Sequence, residues 1–227
     1  MANLITLGRL LLLYLLVHLA LQDNARLMLL NAPLLLIIIG LDGVDGWVAR
    51  RRGEESRFGS VFDILADRVV ENVLWIVLAY LSLVPIWVAI VFISRGVIVD
   101  GVRYQAVSEG RSVFGMTSWF GRVVVAGRFM RGFYGVVKAT AFGWLFLIQP
   151  WPQLFPELWQ NWSAACLALG NAFVLLAVLV CLLRGVPVVL EWLTAEGIVR
   201  RDEPILPKAN MSSLGQLRWR LWPERNV

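Results

Sequence analysis

The chain has 227 residues, 59% of them hydrophobic, with a mean hydropathy of +0.70, eleven Trp and eleven Phe. That is too apolar for a soluble domain of this length and reads as an all-α, polytopic membrane protein. The net charge of +5, from 21 basic residues against 16 acids, would suggest nucleic acid if read as a total; the basic residues instead cluster between apolar segments, as membrane topology requires, so no nucleic acid partner is expected.

Residues 1–21 form a first apolar helix whose early charge, Arg9, is expected near the headgroups. The segment lacks a small-residue cleavage site and reads as a retained span rather than a signal peptide. His18, the single histidine, has no second ligand nearby and reads as a satisfied or interfacial side chain. A turn from Gln22 to Arg26 precedes an apolar run, Met28 to Leu41, too short to cross alone. The second helix therefore continues through Asp42 and Asp45 to Arg50. An arginine-rich loop to Arg57 marks the cytoplasmic side. A third helix starts near Gly59 and runs to Val84, with Arg68 paired to neighbouring acids. Pro85 opens a fourth, apolar through Val99 and ending at Asp100. Six basic residues, Arg103, Arg111, Arg122, Arg128, Arg131 and Lys138, then lie among glycines and aromatics. A fifth helix ends at Ile148, and Gln149 to Trp162 reads as an aromatic, proline-rich outer loop. The sixth, Ser163 to Leu183, contains no charge. Cys166 and Cys181 lie too far apart on it for a mutual disulfide and read as core or lipid-facing. The segment Val188 to Val199 is expected along the inner surface.

Basic loops at every second junction give about six transmembrane helices with both termini cytoplasmic. The domain reading is a transmembrane domain over 1–199 and a basic cytoplasmic tail over 200–227.

The chemistry concentrates between Asp42 and Asp67. On helices, Asp42, Asp45, Gly46 and Ala49 share one face, and Gly59, Asp63 and Asp67 share another. Two facing helices would offer four acids and three small residues to one polar cavity. Four ionised carboxylates cannot sit that close in a low dielectric without cations. All-oxygen ligands favour hard ions such as Mg2+, Mn2+ or Ca2+ over zinc.

These residues also carry a family likeness. Asp42, Asp45, Gly46, Ala49, Arg50, Gly59, Asp63 and Asp67 fill all eight fixed positions of D-x2-D-G-x2-A-R-x8-G-x3-D-x3-D, so the chain resembles the CDP-alcohol phosphotransferases. The resemblance implies attack by an alcohol on a CDP-linked lipid, usually CDP-diacylglycerol, with release of CMP. It implies two divalent ions, Mg2+ or Mn2+, at Asp42, Asp45, Asp63 and Asp67, with Asp67 also the general base. Gly46, Ala49, Arg50 and Gly59 would shape the CDP pocket. Homodimers are common in the family. The opening Asn3-Leu-Ile-Thr6-Leu-Gly-Arg9 is similar to that of phosphatidylglycerophosphate synthases. So are Ser94-Arg95, Arg103, Gly110, Ser118-Trp119 and Gly121-Arg122, in order and near the right spacing. Gly96 replaces a Glu of that pattern, and Val124 and Val125 replace a Lys and a Thr. Arg95, Arg103, Arg111, Arg122, Arg131 and Lys138 are the candidates to hold the phosphate of a small anionic alcohol. Glycerol-3-phosphate is the first choice of acceptor; inositol phosphate, serine or another headgroup alcohol are alternatives.

An ion-coupled transporter is a reading from a different class. It would spread its acids along a path between the faces, often with an inverted repeat. Here the acids cluster at one depth and no repeat is visible. An inactive relative would have no reason to keep four costly charges.

Overall fold

In a computed structural model, the described residues are 2–52, 57–108, 123, 125 and 127–193, and every regular element among them is helical. They are α1 (Ala2–Ala20), α2 (Ala25–Met28), α3 (Asn31–Arg52), α4 (Arg57–Tyr80), α5 (Ile86–Ser108), α6 (Arg128–Ile148), α7 (Trp151–Leu154) and α8 (Pro156–Trp192). Of the two compact units, Met1–Glu191 and Trp192–Val227, the second is represented by Trp192 and Leu193 alone. The basic tail lies outside the described residues.

Among the described residues, three segments are long and apolar enough to cross a membrane: Asn3–Ala20, Ala25–Val44 and Pro156–Trp192. The other long helices, α4, α5 and α6, have 24, 23 and 21 residues, sufficient for a hydrocarbon core about 30 Å thick, and carry charges along their length. Large apolar side chains stand exposed on the outward faces, among them Leu11, Leu36, Ile90, Val97 and Leu175. Water would penalise such a surface and lipid would not, which marks the chain as an integral membrane protein.

Inward faces follow helical periodicity. On α1 the buried residues are Thr6, Arg9, Leu13, Leu16 and Ala20; on α8 they include Cys166, Gly170, Val174, Ala177, Cys181, Arg184 and Val188. Helix α1 packs against both α3 and α4, α4 against α5, and α3 against α6. Trp75 of α4, fully buried, stacks on Phe92 of α5 with centroids 4.3 Å apart and meets Phe142 of α6 at 4.5 Å. Far from the acids, Gln149 closes one end of the bundle. It donates to the Ala20 carbonyl at 2.8 Å and accepts from the Asn31 amide at 3.2 Å, joining the ends of α1, α3 and α6. Between α4 and α5, Ser82 takes a left-handed φ of 57°, and the Leu83 N–H returns to the Leu78 carbonyl. That local strain ends α4 before Pro85.

The structure revises several expected boundaries. Gln149 to Trp162 is largely helical: α7 occupies Trp151–Leu154, and α8 starts at Pro156, where a first-turn proline forfeits no helical hydrogen bond. The expected surface segment at Val188 continues α8 through Pro187 as far as Trp192. Helix α5 runs beyond Asp100 to Ser108, which places Arg103 on a helix instead of a loop. Cys166 and Cys181 are buried free thiols, and exposed His18 lies 3.2 Å from the Gln22 amide.

Candidate active site

Asp42 lies one turn beyond the buried Ile38 on α3, and Asp63 and Asp67 lie one turn apart on α4. A carboxylate oxygen from each of the three falls within 4.8 Å of the other two. Asp42 of one anticipated face and Asp63 and Asp67 of the other therefore converge. The side chains of Asp45, Gly46, Ala49 and Arg50 lie outside the described residues, although all four positions are helical in α3. Gly59 occupies the first turn of α4 and is half-buried.

A side chain that sequence reasoning left without partners sits among these acids. Arg9 of α1 is 2% exposed and stands 2.7 Å from Asp42, 3.3 Å from Asp63 and 2.8 Å from Asp67. It is buried against carboxylates, partners the sequence reading did not name. The signal was its position within an apolar helix, where a charge demands a partner; the partners' identity was not local information, since they lie 33 or more residues away.

The acids open into a cavity of about 460 Å³, whose lining includes Arg9, Asp42, Asp67, Arg68, Glu71, Arg95, Arg103, Arg131, Tyr134, Lys138 and Arg184. Asp42 and Asp67 line it together with Arg9, while Arg95, Lys138 and Arg184 gather around Tyr134 at a net basic end that also holds Glu71. Arg95, Arg103, Arg131 and Lys138, expected as phosphate ligands, all reach this cavity; Arg111 and Arg122 lie outside the described residues. Arg68 fulfils its expected pairing, 2.6 Å from Asp100 and 3.6 Å from Glu71, while Lys138 holds the other oxygen of Glu71 at 2.9 Å. A Cβ at Gly96, where the related pattern has Glu, would stand 3.6 Å from the Arg68 guanidinium. Asp100, one turn along the same helix, meets that guanidinium instead.

Tyr134 organises the basic end. Its ring lies 4.3 Å from the Lys138 ammonium, 5.6 Å from Arg184 and 6.0 Å from Arg95, distances at which the ring face attracts cations. Arg184, 5% exposed inside α8, donates to the Val125 carbonyl at 3.2 Å. The Nε of Arg95 is buried without a hydrogen-bond partner among the described residues. Its stem crosses Gly185 so closely that a Cβ there would come within 2.7 Å of Cγ and 2.8 Å of Nε. Tyr134, Glu71, Gly185 and Arg184 were not singled out as site residues from the sequence; only three-dimensional packing aligns them.

The chemistry of the donors defines what they can hold. Carboxylate oxygens within 4.8 Å suit a hard divalent cation, because opposite oxygens around Mg2+ stand about 4.2 Å apart. The guanidinium contacts independently mark the position as one that takes positive charge. Clustered cations around Tyr134 suit a phosphate monoester.

Comparison with known proteins agrees with this geometry. The chain is 36% identical over 85 residues to CDP-diacylglycerol--glycerol-3-phosphate 3-phosphatidyltransferase of Bacillus subtilis, a stretch covering 37% of this chain and 44% of that protein. The protein of the same name from Mycoplasma genitalium is 33% identical over 95 residues, 42% of this chain and 39% of its own length. Rat (Rattus norvegicus) cardiolipin synthase (CMP-forming) is 35% identical over 77 residues, 32% of this chain and 26% of the relative. The matched stretches thus span less than half of each of these relatives. A model of the CDP-alcohol phosphatidyltransferase family matches residues 1–195, which contain the three converging acids, Arg9 and every cation of the cavity. The chain belongs to the CDP-alcohol phosphatidyltransferase family.

Proposed function

We propose that this protein transfers a phosphatidyl group from CDP-diacylglycerol to glycerol-3-phosphate, releasing CMP. The observation that carries this reading is one cavity lined both by Asp42 and Asp67, members of the Asp42–Asp63–Asp67 cluster, and by the cations gathered around Tyr134. A diphosphate and a phosphate-bearing alcohol would then meet between them. The names of the Bacillus and Mycoplasma relatives support glycerol-3-phosphate as the acceptor over inositol phosphate or serine.

Asp42, Asp45, Asp63 and Asp67 would hold two divalent ions, Mg2+ or Mn2+. Such ions, when bound, neutralise charge developing on the leaving phosphate. Gly46, Ala49, Arg50 and Gly59 shape the nucleotide end, where small residues permit close approach. Arg95, Arg103, Arg131 and Lys138 hold the acceptor phosphate, with Arg111 and Arg122 completing the basic rim. That grip fixes the acceptor and brings its hydroxyl towards Asp67. Asp67 accepts the hydroxyl proton as the oxygen forms its bond to the lipid-side phosphorus; the bond between that phosphorus and the bridging diphosphate oxygen breaks, and CMP departs. Apolar walls from Ile38, Ile64, Leu74 and Phe142 restrict water, the competing nucleophile.

Topologically, residues 1–199 form the catalytic transmembrane domain and 200–227 a basic cytoplasmic tail. Six spans place both termini in the cytoplasm, with the cavity opening to the cytoplasmic leaflet. A homodimer is the assembly implied by family likeness.

The test incubates the purified protein with CDP-diacylglycerol, Mg2+ and a panel of labelled alcohols: glycerol-3-phosphate, inositol phosphate, serine and a lipid-borne alcohol. Label from glycerol-3-phosphate should enter lipid with stoichiometric CMP. Incorporation of a different alcohol replaces the acceptor assignment, and no CMP from any alcohol overturns the reading.

A further inference from the structure

Arg9 poses a problem of charge that the proposed reaction leaves unsolved. Its one guanidinium touches all three acids of the candidate metal centre. Three ionised carboxylates converging within 4.8 Å repel one another, so keeping all three ionised requires a cation beside them. In this structure that cation is Arg9. Its side chain reaches the acids from a third helix, α1, whose buried stripe of Thr6, Leu13 and Leu16 fixes the backbone beside α3 and α4.

We infer that Arg9 is an internal counter-cation that a divalent ion must displace from Asp42, Asp63 and Asp67. This rests on the metal-site reading of those acids. A guanidinium 2.7 to 3.3 Å from the carboxylates and a dication on the same carboxylates would be like charges a few ångströms apart and would compete for the same oxygens. Ion capture therefore requires the guanidinium to withdraw. Three methylene groups in the side chain permit that without moving α1. Arg9 keeps the empty site folded and uniformly paired, at a cost in ion affinity. The exchange also explains why an arginine suits the position: its planar fork can reach three acids at once, whereas a lysine presents a single point charge.

The experiment titrates Mn2+ into the full-length protein in detergent and reads free ion by electron paramagnetic resonance, with no lipid substrate present. Wild type, Arg9→Gln and Arg9→Lys are compared, each also melted with and without Mn2+. Arg9→Gln should bind Mn2+ at least about tenfold more tightly than wild type, and Arg9→Lys should fall between. The melting temperature of Arg9→Gln should fall without Mn2+ and recover with it, giving a larger Mn2+-induced rise than in wild type. Should Arg9→Gln fail to fold, tighter binding by Arg9→Lys carries the test alone. Equal or weaker Mn2+ binding in the variants, with stability lost equally in both conditions, would make Arg9 a fixed structural ligand and overturn the exchange. Absence of Mn2+ binding in all three proteins removes the metal-site reading, and the exchange with it.

Discussion

Gly185→Ala offers a sharp test of how the basic end is held. The added Cβ would lie 2.7 Å from Cγ, 2.8 Å from Nε and 3.3 Å from Cδ of Arg95. Ordinary carbon contacts begin near ~3.5 Å, so the arginine must retreat by about 0.8 Å at Cγ and less at Cδ. Contact at mid-chain moves the guanidinium as a unit, away from its place beside Tyr134. A hydrogen bond from arginine to a charged phosphate contributes roughly 1.5–3 kcal/mol, and losing about half of that raises the acceptor KM by about three- to tenfold. Since Arg95 lies at the basic end of the cavity, kcat and the KM for CDP-diacylglycerol should stay within about twofold. Steady-state kinetics in mixed micelles, varying each substrate at saturation of the other, separates these parameters. Arg95→Ala should raise the acceptor KM further, and Gly185→Ala should add little in that background, because the group it displaces is already gone. An unchanged acceptor KM in both Gly185→Ala and Arg95→Ala, or equal effects on both substrates, would refute the reasoning. Normal Gly185→Ala kinetics beside an impaired Arg95→Ala would refute only the role of Gly185.

Asp67→Asn should abolish turnover while retaining CDP-lipid binding, as read by equilibrium binding of labelled CDP-diacylglycerol; unchanged turnover removes Asp67 as the base. Asp42→Asn should weaken Mn2+ binding and activity together, and activity indifferent to chelator would contradict the metal assignment. Charge reversal in Arg103→Glu should raise the acceptor KM more than the CDP-lipid KM, whereas an equal rise points to a general electrostatic effect. Trp75→Ala removes a fully buried ring that joins α4, α5 and α6, and should cost about 3–5 kcal/mol, read as earlier thermal inactivation in detergent.

The acidic centre was legible before any coordinates because its information is local. Asp42 and the Asp63–Asp67 pair sit at helical spacing within two apolar segments, and charges there are too costly to be incidental. The long helices were legible for the same reason, since apolar length and charged boundaries are properties of neighbouring residues. What the residues alone left open depends on contacts between distant segments. Arg9 joins its acids across at least 33 residues, and nothing in the first helix names its partners. The cavity's basic end assembles Arg95 and Arg103 from α5, Arg131, Tyr134 and Lys138 from α6, and Arg184 from α8, three helices whose relative rotation no single periodicity specifies. Boundaries around Pro156 and Pro187 were misread because a proline allows either a helix start or a helix interior, depending on whether neighbouring helices cover the backbone. Sequence alone determined which charges must be neutralised inside the membrane protein; tertiary packing decided which cation neutralises each, because that choice is made by distance and burial among helices far apart in the chain.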